Sequence, residues 1–270
     1  MYSDTHCHLN FEQYDQDRSE VIDRAITAGI TKILNPGIDL HTSRAAVSLA
    51  HKIDEVYAAI GVHPNSSRSW MPDTQVELKS LASSPKVVAV GEIGLDYYRD
   101  WAPIDLQNEV FRHQLHLAAE INLPVVIHMR DRSPQDRSAS QGVLEILKSW
   151  HDELVDGEKE LSSRPGVLHS FSSELEIAQE AIAMNFLIGI TGPVTFQNAE
   201  RLRKIIKTLP VDHLLLETDG PFLTPHPFRG QRNEPAYIPY IAQKLSEIYE
   251  MNVSEVEEIT MRNSERLFRW

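Results

Sequence analysis

The sequence predicts a (β/α)8 barrel, a TIM-type α/β fold in which residues 1–270 form one domain with an extra helix at the C-terminus. Three observations lead there. Eight short runs rich in Val, Ile and Leu recur along the chain, and each is followed by a segment with helical spacing. The length of 270 residues suits one such barrel. An open doubly wound sheet is the competing fold, but it usually carries a Gly-rich phosphate loop after the first strand. None is present here.

Taken in order, strands are predicted at Tyr2–His6, Lys32–Asn35, Val56–Gly61, Val87–Gly91, Pro124–His128, Gly166–His169, Phe186–Ile190 and His213–Glu217. The intervening helices are predicted at Asp17–Ala28, Thr42–His51, Thr74–Leu81, Leu106–Glu120, Gln141–Trp150, Glu174–Met184 and Ala199–Thr208, with Ile238–Tyr249 following a Pro-bearing loop. A last helix over Ser254–Leu267 opens on Ser254-Glu255-Val256-Glu257, which has the Ser-x-x-Glu form of a capping box. The polar stretches Ser133–Gly142 and Asp156–Pro165 read as loops. No linker-like shift of composition divides the chain.

Composition sets limits on function. Hydrophobic residues make up 41% and charged residues 24%, as in a globular protein. No apolar run is long enough to span a bilayer, and no basic-then-apolar leader opens the sequence. The expected location is the cytoplasm. The single cysteine, Cys7, agrees with a reducing compartment and is expected to be a small buried apolar residue. A net charge of −13 argues against broad adhesion to nucleic acid, yet it allows a local site where cations and a few arginines line a cleft.

Barrel active sites are built at the C-terminal ends of the strands, and the chemistry-bearing residues fall there. Strand periodicity puts His6 and His8 on one face, where two imidazoles can begin a divalent-metal site. Strand three ends in His63, strand four in Glu92, strand five in His128, strand six in His169, and strand eight in Glu217 and Asp219. Alternation places Glu217 and Asp219 on one face with Asp219 nearer the mouth, and only one of them is needed as a ligand. His63, before Pro64, is expected to contact substrate. Around the mouth Arg99, Arg130, Arg132 and Arg229 can clamp phosphates, and Tyr97, Tyr98 and Trp101 can stack on bases.

Several ordered motifs carry a resemblance. Asp4-x-His6-x-His8, Gly91-Glu92-Ile93-Gly94-Leu95-Asp96-Tyr97-Tyr98, Pro124-Val125-Val126-Ile127-His128-x-Arg130, His169-x-Phe171-Ser172, Glu217-Thr218-Asp219-x-Pro221-Phe222-Leu223 and Arg229-Gly230-x-x-Asn233-Glu234-Pro235 together resemble the TatD family of metal-dependent deoxyribonucleases. The match runs from the first strand to the last helix. Two departures stand out: His169-Ser170-Phe171-Ser172-Ser173 occupies the place of the usual His-Cys-Phe-Ser-Gly, and the polar insertions after His128 and before Gly166 are longer than in compact members.

The resemblance implies two divalent ions, one held by His6, His8, Glu92 and Asp219, the other by Glu92, His128 and His169, with Glu92 bridging. Such a pair can activate a water and stabilise both oxygens of an in-line displacement at phosphorus, with Asp219 handling the water's proton. An imidazole-rich set favours zinc or manganese over magnesium alone. The expected activity is hydrolysis of DNA phosphodiesters at strand ends. His63, Arg99, Arg130 and Tyr98 would contact the DNA locally at the barrel mouth, with no membrane and no obligate protein partner. The alternative is an amidohydrolase-type enzyme acting on a small-molecule C–N or ester bond. That class often carries a bridging lysine at the end of strand four, where this chain has Glu92.

Overall fold

A computed structural model describes residues 1–270. Eight parallel strands follow one another in sequence order: β1 (Tyr2–Asp4), β2 (Ile30–Pro36), β3 (Val56–Ile60), β4 (Val87–Asp96), β5 (Val125–Arg130), β6 (Gly166–Leu168), β7 (Leu187–Ile190) and β8 (Leu214–Leu216). The ring is completed just beyond β1 and β8, where Thr5 N donates to Leu216 O at 3.0 Å and Asp219 N to His6 O at 2.8 Å. Cys7 and Gly220 make a further parallel bridge. Seven helices alternate with the strands: α1 (Arg18–Thr27), α2 (Leu40–Ala50), α3 (Thr74–Leu81), α4 (Ile104–Ile121), α5 (Ser138–Asp156), α6 (Leu175–Ala183) and α7 (Glu200–Thr208). Two more, α8 (Ile238–Tyr249) and α9 (Val253–Phe268), follow β8. The predicted barrel with an extra C-terminal helix is therefore what the chain forms.

Strand alternation sorts the apolar residues into two cores. Outward residues such as Ile33, Ile60, Val90, Ile127 and Ile188 join a cluster of 53 buried residues under the helices. A separate cluster of ten holds Leu34, Ala59, Val126, Val167, Leu187 and Leu215 together with Leu267 and Phe268 of α9. These fill the barrel interior. The extra helix thus has a structural role: its end, with Trp270 against Tyr57 of β3, closes the barrel at the N-terminal side of the strands. The opposite end is left for the site.

The structure moves several predicted boundaries. Strand β4 runs five residues past its predicted end, because Gly94, Leu95 and Asp96 keep pairing with His128, Met129 and Arg130 of β5. The register between β4 and β5 shifts between Val90 and Ile93, and the Gly91–Glu92 peptide is cis. Helix α5 starts at Ser138, inside the stretch read as a loop, because Asp131 accepts from the N–H groups of Ala139 and Ser140 at 2.9 and 3.0 Å and caps it. The second predicted loop holds the end of α5 and a 3-10 turn over Glu160–Ser163.

The predicted capping box is displaced by two residues. Helix α9 begins at Val253 with Asn252 as its cap, and Asn252 N donates to the Glu255 carboxylate at 2.8 Å. Asn252-x-x-Glu255 has the same donor and acceptor spacing as Ser254-x-x-Glu257, so either could start the helix. Glu257 is instead engaged by the ammonium group of Met1. No helix is long and apolar enough to cross a membrane.

Candidate active site

The strand ends bring His6, His8, Glu92, His128, His169 and Asp219 together, with His63 beside them. Period-two geometry just past β1 sets His6 Nε2 and His8 Nε2 3.2 Å apart. Their backbone is held by Asp4, which lies beneath them fully buried and accepts from His6 N at 3.2 Å, Thr218 N at 2.9 Å and Thr218 Oγ1 at 2.5 Å. Burial pushes the Asp4 carboxyl up to about 7 against those hydrogen bonds. Cys7 points away, buried against Gly220 O and Tyr14 Oη, as alternation requires.

Glu92 is the centre of the cluster, and its two oxygens face different groups. Oε2 lies 3.4 Å from His6 Nε2 and 3.6 Å from His8 Nε2. Oε1 lies 2.7 Å from His128 Nδ1, 3.6 Å from His63 Nε2 and 4.0 Å from His169 Nε2. Asp219 Oδ1 stands 3.7 to 3.8 Å from His6, His8 and His169. Its backbone is left-handed at φ 55°, a conformation that suits a short acidic side chain.

Two further carboxylates orient the outer histidines. Asp96 Oδ2 lies 3.1 Å from His128 Nε2, and Glu217 Oε2 lies 2.9 Å from His169 Nδ1. Each fixes which ring nitrogen is turned toward Glu92, the arrangement by which metal-binding imidazoles are held. Glu217 also accepts from Ser170 N at 2.9 Å, so a backbone group makes this contact and the Ser-for-Cys departure at position 170 leaves it intact. Glu217 lies on the face that strand alternation predicts, and Asp96, within the Gly91 to Tyr98 motif, holds a role not assigned from sequence. Its signal was present: Glu92, Gly94 and Asp96 recur at period two.

His63 differs from the other histidines. Its Nδ1 accepts from Asn65 N at 3.1 Å, capping the 3-10 turn Pro64–Ser69. In the neutral ring the proton therefore sits on Nε2, which faces Glu92 as a donor. Burial and the neighbouring His128 hold its pKa down to about 3.

Charge in the cluster is divided. Burial and the neighbouring His169 hold His6 well below its ordinary value, and burial brings His8 to about 4, so both are neutral. Burial opposes charge on Glu92, but His63, His6 and His128 outweigh it and keep the carboxyl ionised. Burial likewise opposes protonation of His128 and His169; the Asp96 and Glu92 hydrogen bonds raise the first to about 9, and Glu217 raises the second to about 9. Burial lifts Asp219 to about 7 even though His169 opposes it.

The donor set fits a divalent ion. Three groups each offer three ligand atoms within 4.8 Å of one another: His6, His8 and Glu92; His6, His169 and Asp219; His63, Glu92 and His128. These triplets overlap at Glu92 and His6. They divide the residues differently from the resemblance, grouping His169 with Asp219 and His6.

The cluster forms the floor of a cavity of about 560 Å³, walled by Phe11, Arg99, Trp101, Arg130, Phe222 and others. Arg130 and Arg99 line this cavity. Tyr98 does not line it: its ring lies under both guanidiniums, 4.0 Å from that of Arg130 and 5.4 Å from that of Arg99. Arg229 also lies outside the lining, over the Phe196 ring at 4.2 Å.

Comparison with known proteins agrees with this geometry. A family model described as TatD related DNase matches residues 3–269. A protein named as the metal-dependent hydrolase YabD, from Bacillus subtilis strain 168, is 45% identical over 269 residues, covering 100% of this chain and 99% of its own. The protein named 3'-5' ssDNA/RNA exonuclease TatD in Citrobacter rodentium is 35% identical, covering 96% of this chain and 95% of its own. The crystal structure of YJJV, a TatD homolog from Escherichia coli, superposes with a TM-score of 0.88 at 30% identity, covering 100% of this chain and 98% of that one. An organophosphorus hydrolase from Deinococcus radiodurans, at a TM-score of 0.64 and 14% identity, shares the fold. With motifs, barrel and near full-length likeness in agreement, the chain belongs to the TatD-related DNase family.

Proposed function

We infer that the protein hydrolyses phosphodiester bonds of single-stranded DNA at strand ends, with two divalent ions held by the six-residue floor of the barrel. The observation that carries this is Glu92, whose Oε2 faces His6 and His8 while Oε1 faces His128 and His169. A carboxylate so placed could serve both sites: His6, His8 and Asp219 would hold one ion with it, and His128 and His169 the other. When bound, the ions supply Lewis acidity to a phosphoryl oxygen and charge stabilisation to the attacking and leaving oxygens. Imidazole-rich ligation favours zinc or manganese over magnesium alone.

The side chains do the rest. Asp219, which faces the cavity beside His6, His8 and His169, would take the proton of the attacking water. His63 Nε2–H donates to a phosphoryl oxygen and does not coordinate, because its Nδ1 is occupied by Asn65 N–H. Arg99 and Arg130 meet the neighbouring phosphates. A duplex cannot bring a phosphodiester to the floor of this cavity without unpairing, which favours a single strand. The names of the relatives support that substrate, extend it to RNA, and point to the 3' end.

The test offers 5'-labelled single strands, blunt duplexes and covalently closed single-stranded circles with manganese or magnesium. Stepwise shortening of the linear single strand is expected. Equal cleavage of the circle would defeat the strand-end reading, and activity confined to amide or lactone substrates would move the protein to the amidohydrolase-type class.

A further inference from the structure

The two long walls of the cavity differ in chemistry. In a ring ordered β1 to β8, β4 stands opposite β8 and β5 opposite β1. Arg99 and Trp101 follow β4 and Arg130 ends β5, whereas Phe222 follows β8 and Phe11 follows β1. All five line the one cavity.

The first wall alternates cation and ring. Arg99 lies 5.2 Å from the Trp101 ring and 5.4 Å from the Tyr98 ring, and Arg130 lies 4.0 Å from the same Tyr98 ring. Neither guanidinium forms an ion pair with any carboxylate, although the chain carries a net charge of −13. Two uncompensated cations beside exposed rings match the repeating phosphate and base of an unpaired strand. The opposite wall has no cation: Phe11 and Phe222 meet edge to face at 6.3 Å, and Phe11 stacks on His8 of the floor at 4.4 Å. Phe222 is 47% exposed and so has a free ring surface.

We propose that the cavity is a polarised nucleotide slot, in which the base of the terminal nucleotide stacks on Phe222 with Phe11 against its edge, while the continuing strand leaves across Arg130, Arg99 and Trp101. This rests on the strand-end reading above and adds what the ends are recognised by. Tyr98 is a positioning residue whose ring supports both guanidiniums. The ligand is an oligonucleotide of at least three residues with an unpaired terminal base. A bare phosphodiester engages only the floor.

The test measures binding, separately from hydrolysis. Phosphorothioate oligothymidylates of two and eight residues, with a normal or an abasic 3' residue, are titrated into the manganese-loaded protein and followed by fluorescence anisotropy at several salt concentrations. Replacing both arginines, Arg99→Ala with Arg130→Ala, is expected to weaken the octamer by about tenfold or more and the dimer much less. The salt slope for the octamer should fall by about 0.7 per arginine. Phe222→Ala should weaken both lengths by about five- to hundredfold, and this loss should vanish when the 3' residue is abasic. Trp101→Phe, which keeps a ring, should retain most of the octamer affinity.

Equal loss on dimer and octamer in the double arginine variant would overturn the exit wall. An undiminished penalty for the abasic end in Phe222→Ala would overturn the base wall. Binding in this pattern without hydrolysis of any phosphodiester would defeat the catalytic reading and leave the slot standing; hydrolysis with no dependence on length or terminal base would do the reverse.

Discussion

His169 Nδ1 lies 2.9 Å from Glu217 Oε2, and the space that Glu217 occupies exists only because residue 189 has no side chain. A Cβ at Gly189 of β7 would stand 2.2 to 2.4 Å from the Glu217 carboxylate atoms. The glycine on one strand thus sets the ring orientation of a histidine on another.

Gly189→Ala should therefore act on the metal centre from outside it. The displaced Glu217 releases His169, and affinity for one ion should fall by about ten- to hundredfold with a stability loss of about 1–3 kcal/mol. Metal titration beside thermal unfolding checks this. Unaltered metal affinity would show that His169 is held without Glu217.

Asp96 makes the matching contact with His128, and it also accepts from Tyr98 N, Arg99 N and Asn65 Nδ2 at 2.9 to 3.0 Å. Asp96→Ala should weaken one ion by about ten- to hundredfold and, by freeing these donors, loosen the loop that carries Arg99. Metal titration of Asp96→Asn, which keeps one acceptor, should give an intermediate value. Equality with the wild type in both variants would remove Asp96 from the account.

Removing His63 separates donation from coordination. His63→Ala should keep full metal content while kcat falls by about 10²-fold or more, because only a hydrogen bond to the reacting group is lost. Elemental analysis and kinetics on one preparation decide it. Loss of an ion in proportion to activity would make His63 a ligand.

Metal uptake should release protons. His128 and His169 each have a pKa raised to about 9, so at neutral pH the metal-free rings are protonated and must lose a proton to coordinate. Affinity should accordingly rise with pH through neutrality, by about tenfold per unit for each proton released, and level off near 9. Calorimetry in buffers of different ionisation enthalpy counts those protons. A pH-independent affinity from 6.5 to 9 would contradict the protonated resting state.

The barrel and the floor of its mouth were legible because both depend on spacing that sequence preserves. Strand period places His6 with His8 and Glu217 with Asp219, and fold topology then gathers strand ends as far apart in sequence as His6 and Asp219. Boundaries were less legible: Asn252 and Ser254 carry equivalent capping signals, and the helix starts from the first. Contacts made by a second layer were hidden for a different reason. That Asp96 turns to His128, or that Gly189 leaves room for Glu217, depends on neighbours across the sheet whose register no local pattern encodes. Tyr98 was expected to touch substrate; its place beneath Arg130 comes from the path of the loop after β4.

In the proposed function Asp219 handles the proton of a water attacking phosphorus above the floor of the barrel, and the rate of Asp219→Asn on a linear single strand at saturating manganese tests this most directly. The amide keeps the shape and one ligand oxygen but loses charge and basicity, so kcat should fall by about 10²–10⁴-fold with strand affinity little changed. An undiminished turnover would contradict the claim and place the base elsewhere on the floor.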